Sequence, residues 1–505
     1  MSITRIVRAA ATAPLLTLAL AVGPIALVAQ VSPEPLTLAQ ALDLAQRNNP
    51  TFQASLNDRE AADWDVRAAY GALLPSASAS GGLSWQGAGE QQFGSLTADD
   101  LGFVDQPSFY FSNYSLSLNH QISGRTLLGP SQANAARANT EALISAARVN
   151  LETAVTNGYL EALRQRDGLE LAIQELDRAR FNHRLAEAQA EVGSATPLDV
   201  RQAEVQVGRA EVTLLLAENA TETARLRLLQ QMGVSLSQDI ALVSEFEVDE
   251  PAWTEDALLD AAVMNNPTLE SRRRSRDVAV VGVRMARTAY LPSLSLQAGW
   301  GGFTRQASSN EFLINQGQRQ VASQINSCEA TNELYRRLAD PFPLADCSRF
   351  VFTDEARAAI IEGNSAFPFN FTGNPASARL TVSIPIFQGL SRQQQVESAH
   401  AQRSDAEFQL REQELALEAD VRIQLARVRT AFRSADLERR NQELADEQLR
   451  LARERYRLGF IPFLDLVDAE TVKVQADRDL LNAVYAYHDA LTSLEAVVGR
   501  PLRTP

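Results

Sequence analysis

The sequence predicts an α plus membrane-β protein built by tandem duplication of one unit: short helices, two membrane strands, then a long helical hairpin. Three observations predict it. "LDLAQRNNPT" (42–51) recurs as "LDAAVMNNPT" (259–268), and Arg67, Leu74 and Pro75 recur at the same offset as Arg284, Leu291 and Pro292. Proline-free runs extend from Ser131 to Thr196 and from Ile386 to Ile461, each on the order of 100 Å if helical. Between the repeated helices and these runs, the apolar period changes from 3.6 to 2.

The chain opens with Arg5 and Arg8 ahead of an apolar run from Ala9 to Ala29, the pattern of a secretory signal peptide over 1–29. Later segments contain no run of the roughly 18–20 apolar residues that a membrane helix needs, so any crossing falls to strands. The formal charge of −15 argues against nucleic acid as a partner, because phosphate binding rests on Lys and Arg.

Each unit starts with an amphipathic helix. In the first, Leu38, Ala41, Leu42 and Ala45 follow i, i+3, i+4, i+7, and Thr37 with Gln40 reads as a capping box. Asn-Pro then resets the chain into a second helix ending near Leu74-Pro75. Strands follow. In "LPSLSLQAGW", Leu294, Leu296, Ala298 and Trp300 share one face, and Ser293, Ser295 and Gln297 the other. "ARLTVSIP", "YSLSLNH" (114–120) and "SASASGGLSW" (76–85) supply the remaining strands. One apolar and one polar face suits a barrel with lipid outside and water inside.

The long helices break at "VGSATPLDVRQAE" (192–204) and "LGFIPFLDLVDAE" (458–470). Both keep Gly and Asp six apart, Gly193 with Asp199 and Gly459 with Asp465; Pro197 and Pro462 open the returning helices. The breaks are therefore hairpin tips. Between repeat landmarks the second copy is longer by about 49 residues, which fall within 301–389. Four strands cannot close a barrel in lipid, so the chain must assemble with copies of itself, and three copies would give twelve strands.

"LTLAQALDLAQRNNP", its echo before Pro267, "IPIFQG" (384–389) and "RYRLGFIPFLDLVDAE" resemble the TolC family of outer-membrane efflux proteins, in order and over nearly the whole mature chain. The resemblance implies a homotrimer: a twelve-stranded β-barrel in outer-membrane lipid above a long periplasmic α-helical barrel. It also implies a passive exit duct for tripartite efflux or type I secretion, working with a periplasmic adaptor and an inner-membrane transporter. On that reading 30–75 and 253–292 are periplasmic helices, and 76–124 and 293–389 hold the membrane strands. The helical hairpins are 125–233 and 390–499, joined by a linker over 234–252 and followed by a tail, 500–505. A trimeric barrel-anchored coiled-coil adhesin is the alternative.

Asp199 and Asp465 stand at helix starts, where a carboxylate meets the positive end of the helix dipole. Asp468, whose first-half counterpart is Gln202, shares a face with Asp465. In a trimer the pair would set six carboxylates around the mouth. The resemblance implies that Asp465 and Asp468 form the family's acidic entrance ring. It makes Tyr456 a contact that holds the entrance shut; Asp199 is expected as a second entrance contact, and the turns at Gly193, Pro197, Gly459 and Pro462 are the expected adaptor-docking tips. Where some members have an Arg two residues after the glycine, this chain has Ile461. Cys328 and Cys347 both fall in the insertion, on the extracellular side by the strand topology. In an oxidising compartment they most simply form a disulfide; free thiols or a metal pair are the alternative. His120, His183, His400 and His488 are scattered, and no HExxH, P-loop or GxSxG occurs. No enzyme activity, cofactor or metal is expected.

Overall fold

In the computed structural model, residues 34–89, 92–93, 96–97, 106–237, 240–243, 246–340 and 342–503 are described; the expected signal peptide, 1–29, lies outside them. The first unit runs β1 (Glu34–Leu36), α1 (Leu38–Asn48), α2 (Pro50–Gly71), β2 (Ser76–Gln86), a small hairpin of β3 (Gln92–Phe93) and β4 (Leu96–Thr97), then β5 (Phe109–Ile122), α3 (Gly124–Glu191) and α4 (Pro197–Met232). After β6 (Ile240–Leu242) the second unit gives α5 (Glu255–Asn265), α6 (Pro267–Arg287) and β7 (Ser293–Ala307). It continues through α7 (Asn310–Arg336), α8 (Asp354–Gly363), β8 (Thr372–Ser383), α9 (Ser391–Arg457) and α10 (Phe463–Val498). β1 pairs in parallel with β6, tying the chain's start to the linker between the repeats. No helix among the described residues is long and apolar enough to cross a membrane.

The long helices differ at their starts. α3 begins seven residues before the proline-free run and passes through Pro130. Ser123 makes that early start possible, its hydroxyl accepting the Thr126 amide at 3.2 Å. On α9 the buried positions Leu410, Leu417, Val421, Leu425, Val428 and Ala435 are spaced by sevens, fours and threes, a coiled-coil seam against α10.

A duplicated joint explains the Asn-Asn-Pro repeats. Asn49 Oδ1 accepts the Phe52 amide at 3.0 Å, capping α2, while its Nδ2 donates to the Gln231 carbonyl at 2.8 Å near the end of α4. Asn266 does the same with Leu269, 2.8 Å, and Val497, 2.8 Å. One side chain thus serves an orphan donor of one helix and an orphan acceptor of another. Gly233 and Gly499, both left-handed, close the returning helices against these joints. A Cβ on either would lie 2.5 Å from a backbone oxygen, of Asn48 or Asn265. Leu228, Leu229 and Met232 fill the core beside the first joint, and Leu494 and Val498 that beside the second. Each fully buried side chain of this kind contributes about 1.5–3 kcal/mol.

The four long strands form one antiparallel sheet, ordered β2-β5-β7-β8. Cross-strand partners share a face, so the register sorts the side chains. Ser78, Ser117, Gln297 and Thr381 fall on one face; Leu83, Leu118, Leu296 and Leu380 fall on the other. On the polar face the hydroxyls of Ser78 and Ser117, and of Ser80 and Ser115, bond across the ladder at 2.7 and 2.8 Å. β2 and β8 form the two edges, and each is exposed along its whole length.

The insertion within 301–389 contains α7 and α8. Both open on a capping hydroxyl, Ser309 and Thr353, followed by acidic residues in the first turn. Cys328 and Cys347 are bonded there. Asn364, 7% exposed, fastens the insertion to β7: its Oδ1 accepts the Ala307 amide at 2.6 Å and its Nδ2 donates to the Ala307 carbonyl at 2.9 Å.

Candidate functional site

The hairpin tips are two solutions to one turning problem. At the first, Gly193 takes φ +77°. The Gly193 amide reaches the Ala190 carbonyl at 3.1 Å and the Ser194 amide that of Gln189 at 2.8 Å. Gly459, at φ +74°, repeats this: its amide donates to Tyr456 at 3.0 Å, and that of Phe460 to Arg455 at 2.9 Å. Both are Schellman closures, which put a residue in the left-handed region and so favour glycine.

The returning helices start differently. Thr196 is the N-cap of α4 and Pro197 its first residue, whereas Pro462 itself occupies the N-cap position of α10. The two prolines are therefore one place apart, and α10 begins at Phe463 rather than Pro462. Asp199 completes a capping box with Thr196: its Oδ2 accepts the Thr196 amide and hydroxyl, both at 2.8 Å. Proline has no hydroxyl to offer, and α10 has no side-chain cap. The Asp465 and Asp468 carboxylates are left exposed one helical turn apart, without side-chain hydrogen bonds to other described residues; the Asp465 amide donates to the Pro462 carbonyl at 3.2 Å.

Behind the tips lies a small core joining the two hairpins. Tyr456 (5% exposed), Phe463 and Leu466 from the second pack with Ala186 and Ala203 from the first. The Tyr456 and Phe463 rings are 5.7 Å apart. The Tyr456 hydroxyl is buried and has no hydrogen-bond partner among the described residues. Desolvation, and then the nearby Asp199 carboxylate, hold its pKa above the ordinary tyrosine value. Tyr456 and Asp199 are thus electrostatic neighbours, while the hydrogen bonds of Asp199 go to its own helix start.

Sequence reasoning used Glu470 only as a repeat marker and missed its setting. Its carboxylate accepts from Arg453 Nη2 at 2.7 Å and from Asn182 Nδ2 at 3.2 Å, with Arg178 at 3.7 Å. Arg453 and Glu470 stand symmetrically about the tip, so that pair was legible from hairpin geometry. The α3 partners were not. Higher along the same seam, Arg478 meets Glu175 at 2.7 Å, and the Tyr485 hydroxyl donates to Asp167 at 2.6 Å. Burial, reinforced by that bond, raises the Tyr485 pKa. Lys473, the chain's one lysine, is buried between Asp477 at 2.6 Å and Asp446 at 3.4 Å.

The site residues divide into three places: Asp199, Tyr456, Asp465, Asp468 and the four turn residues at the tips, Cys328 and Cys347 in the insertion, and the histidines dispersed. Among the described residues no cluster of three or more His, Cys, Asp or Glu could hold a metal ion. Exposed apolar side chains flank both turns: Val192 and Leu198 at the first, Leu458, Phe460 and Leu464 at the second.

The family model "Outer membrane efflux protein" matches residues 41–234 and 362–500, leaving out most of the insertion. The chain is 26% identical over 282 residues to the outer membrane protein TolC of Vibrio cholerae, covering 55% of this chain and 60% of that one. It is 28% identical over 295 residues to the alkaline protease secretion protein AprF of Pseudomonas aeruginosa, covering 56% and 58%. The matches thus span about three fifths of these relatives. The open-state MtrE outer membrane channel of Neisseria gonorrhoeae superposes with a TM-score of 0.67 at 18% identity, over 92% of this chain and 89% of that one. Tandem units, paired long hairpins and a four-stranded sheet share that channel's fold; with a family match across both halves, the chain belongs to the outer membrane efflux protein family and is a protein of the outer membrane.

Proposed function

We propose that three copies of this chain form a channel-tunnel, the passive exit duct of a tripartite efflux or type I secretion system. One observation carries the reading. The sheet has one apolar face, one polar face and two unpaired edges, β2 and β8. An open edge cannot persist in lipid, where each unsatisfied amide or carbonyl costs several kcal/mol. β2 and β8 carry opposite strand directions, so the β8 edge of one copy can pair antiparallel with the β2 edge of the next, and twelve strands close the ring. The segments 76–124 and 293–389 then hold the membrane strands, and the hairpins of 125–233 and 390–499 form the tunnel wall.

The tips make the entrance. Asp465 and Asp468, exposed and unpaired, supply six carboxylates to its rim, and Tyr456 stiffens the wall behind them. The apolar residues flanking Gly193 and Gly459 are a surface for a periplasmic adaptor, which couples the duct to an inner-membrane transporter. The relatives' names, TolC and a protease secretion protein, support an export role. The test is the mass of the folded protein in mild detergent, with and without heating. A heat-modifiable trimer that conducts in planar bilayers is expected. A monomer with intact strand circular dichroism would overturn the reading.

A further inference from the structure

Of the side chains on β2, β5, β7 and β8, two are ionised at neutral pH, and both are arginines: Arg305 and Arg379. The register places both on the polar face. Arg379 stands opposite Gln297 and Arg305 opposite Phe111, and residues 297 and 305 lie an even number apart on an unbroken β5–β7 ladder. Both are exposed, and neither forms an ion pair with another described residue. The Arg305 guanidinium carbon lies 4.1 Å from the centroid of the Phe109 ring. Around them the polar face offers Ser, Thr, Asn, Gln and Gly, with Phe109, Phe111 and Phe303 toward Arg305, and none of these side chains carries charge. A chain with a formal charge of −15 thus carries only positive charge on its membrane strands.

On the reading that three copies close this sheet with its polar face inward, six guanidinium groups line the barrel. Arg379 lies toward the helical end, since Gln297 is near the start of β7, and Arg305 lies beside the insertion. A narrow aqueous bore with low-dielectric walls focuses such a field, and side chains facing the lumen tune selectivity. The guanidinium fork matches carboxylate, phosphate and sulfate. We propose that the barrel binds anionic groups of the departing solute at two rings of arginine, Arg379 within the membrane and Arg305 at its outer end. The duct is then charged oppositely at its two ends, acidic at the tips and basic in the barrel.

The experiment is single-channel recording of the whole trimer with inorganic pyrophosphate on the barrel side. The parent channel is expected to be blocked. Arg379→Gln and Arg305→Gln should each weaken block roughly tenfold, the change in equilibrium constant that one charged hydrogen bond supplies. Arg379→Lys, which keeps the charge, should retain most of the block, and Asp468→Asn should leave it unchanged. Trimer assembly of each variant is checked by heat-modifiability, and the other single Gln variant carries the comparison if one fails to assemble. A conducting parent that pyrophosphate does not block, or equal block in the parent and the Arg305→Gln/Arg379→Gln double variant, overturns the arginine rings alone. Assembled protein that never conducts overturns the duct itself.

Discussion

Gly459 and Gly499 have nearly the same backbone, φ +74° and +77°, but opposite surroundings. At Gly459 an added Cβ meets nothing within 4 Å; at Gly499 it lies 2.5 Å from the Asn265 carbonyl oxygen and 3.1 Å from the Asn266 Cα. Alanine at Gly459 therefore bears only the left-handed penalty, about 1–2 kcal/mol. At Gly499 the Asn265–Asn266 backbone must also move. That shift pulls Asn266 Nδ2 from the Val497 carbonyl and leaves a half-buried acceptor unpaired, which costs up to about 1–3 kcal/mol more. Gly499→Ala should thus lose about 2–5 kcal/mol in all. Unfolding entropy of about 2.1 cal/mol/K per residue makes this a fall of roughly 2–5 °C, against roughly 1–2 °C for Gly459→Ala. The assay is thermal unfolding followed by helical circular dichroism, with amide exchange over α5 and α6 reporting the joint. Exchange should quicken there in Gly499→Ala and not in Gly459→Ala. Equal melting losses with unchanged exchange would refute the idea that the joint needs a residue without Cβ.

Other outcomes follow from the same geometry. Asp468→Asn should lower cation preference and weaken block by a trivalent cation at the tip side in planar bilayers; Asp199→Asn should chiefly cost about 1 kcal/mol of stability through its capping box. Replacing Cys328 and Cys347 by Ser should remove about 3 kcal/mol of local constraint from the insertion. Export measured in cells should stay almost unchanged. His488, 2% exposed, has its pKa lowered to about 4, first by burial and then by Arg503. The unfolded chain therefore binds that proton more readily. The stability is full above about pH 6.5 and is lost as pH falls toward 4. His488→Gln should flatten that slope in denaturant titrations between pH 7 and 4.5, and an unchanged slope would exclude His488 as its source.

The tips show where sequence reasoning stops. The six-residue spacing of Gly193 to Asp199 and Gly459 to Asp465 made both turns legible, because turn chemistry is decided by near neighbours. The same spacing concealed the difference between them. Thr196 is a capping residue and Pro462 is not, so Asp199 is engaged at its helix end while Asp465 stands free. The helices α7 and α8 lay within reach of local signals, the caps at Ser309 and Thr353, yet the sequence reading assigned the insertion no elements of its own.

By itself the sequence determined the duplication, the long hairpins and the strand faces. Periodicity and proline placement encode these through contacts a few residues apart. Only the tertiary structure decided what Glu470 holds, that Lys473 is buried, and that Asn49 and Asn266 each serve two helices at once. Those contacts join residues as far apart as Asn182 and Glu470, and they depend on how each helix rotates about its axis when the hairpins dock. A period of 3.6 fixes which residues share a face; packing against the neighbouring hairpin chooses which face turns inward.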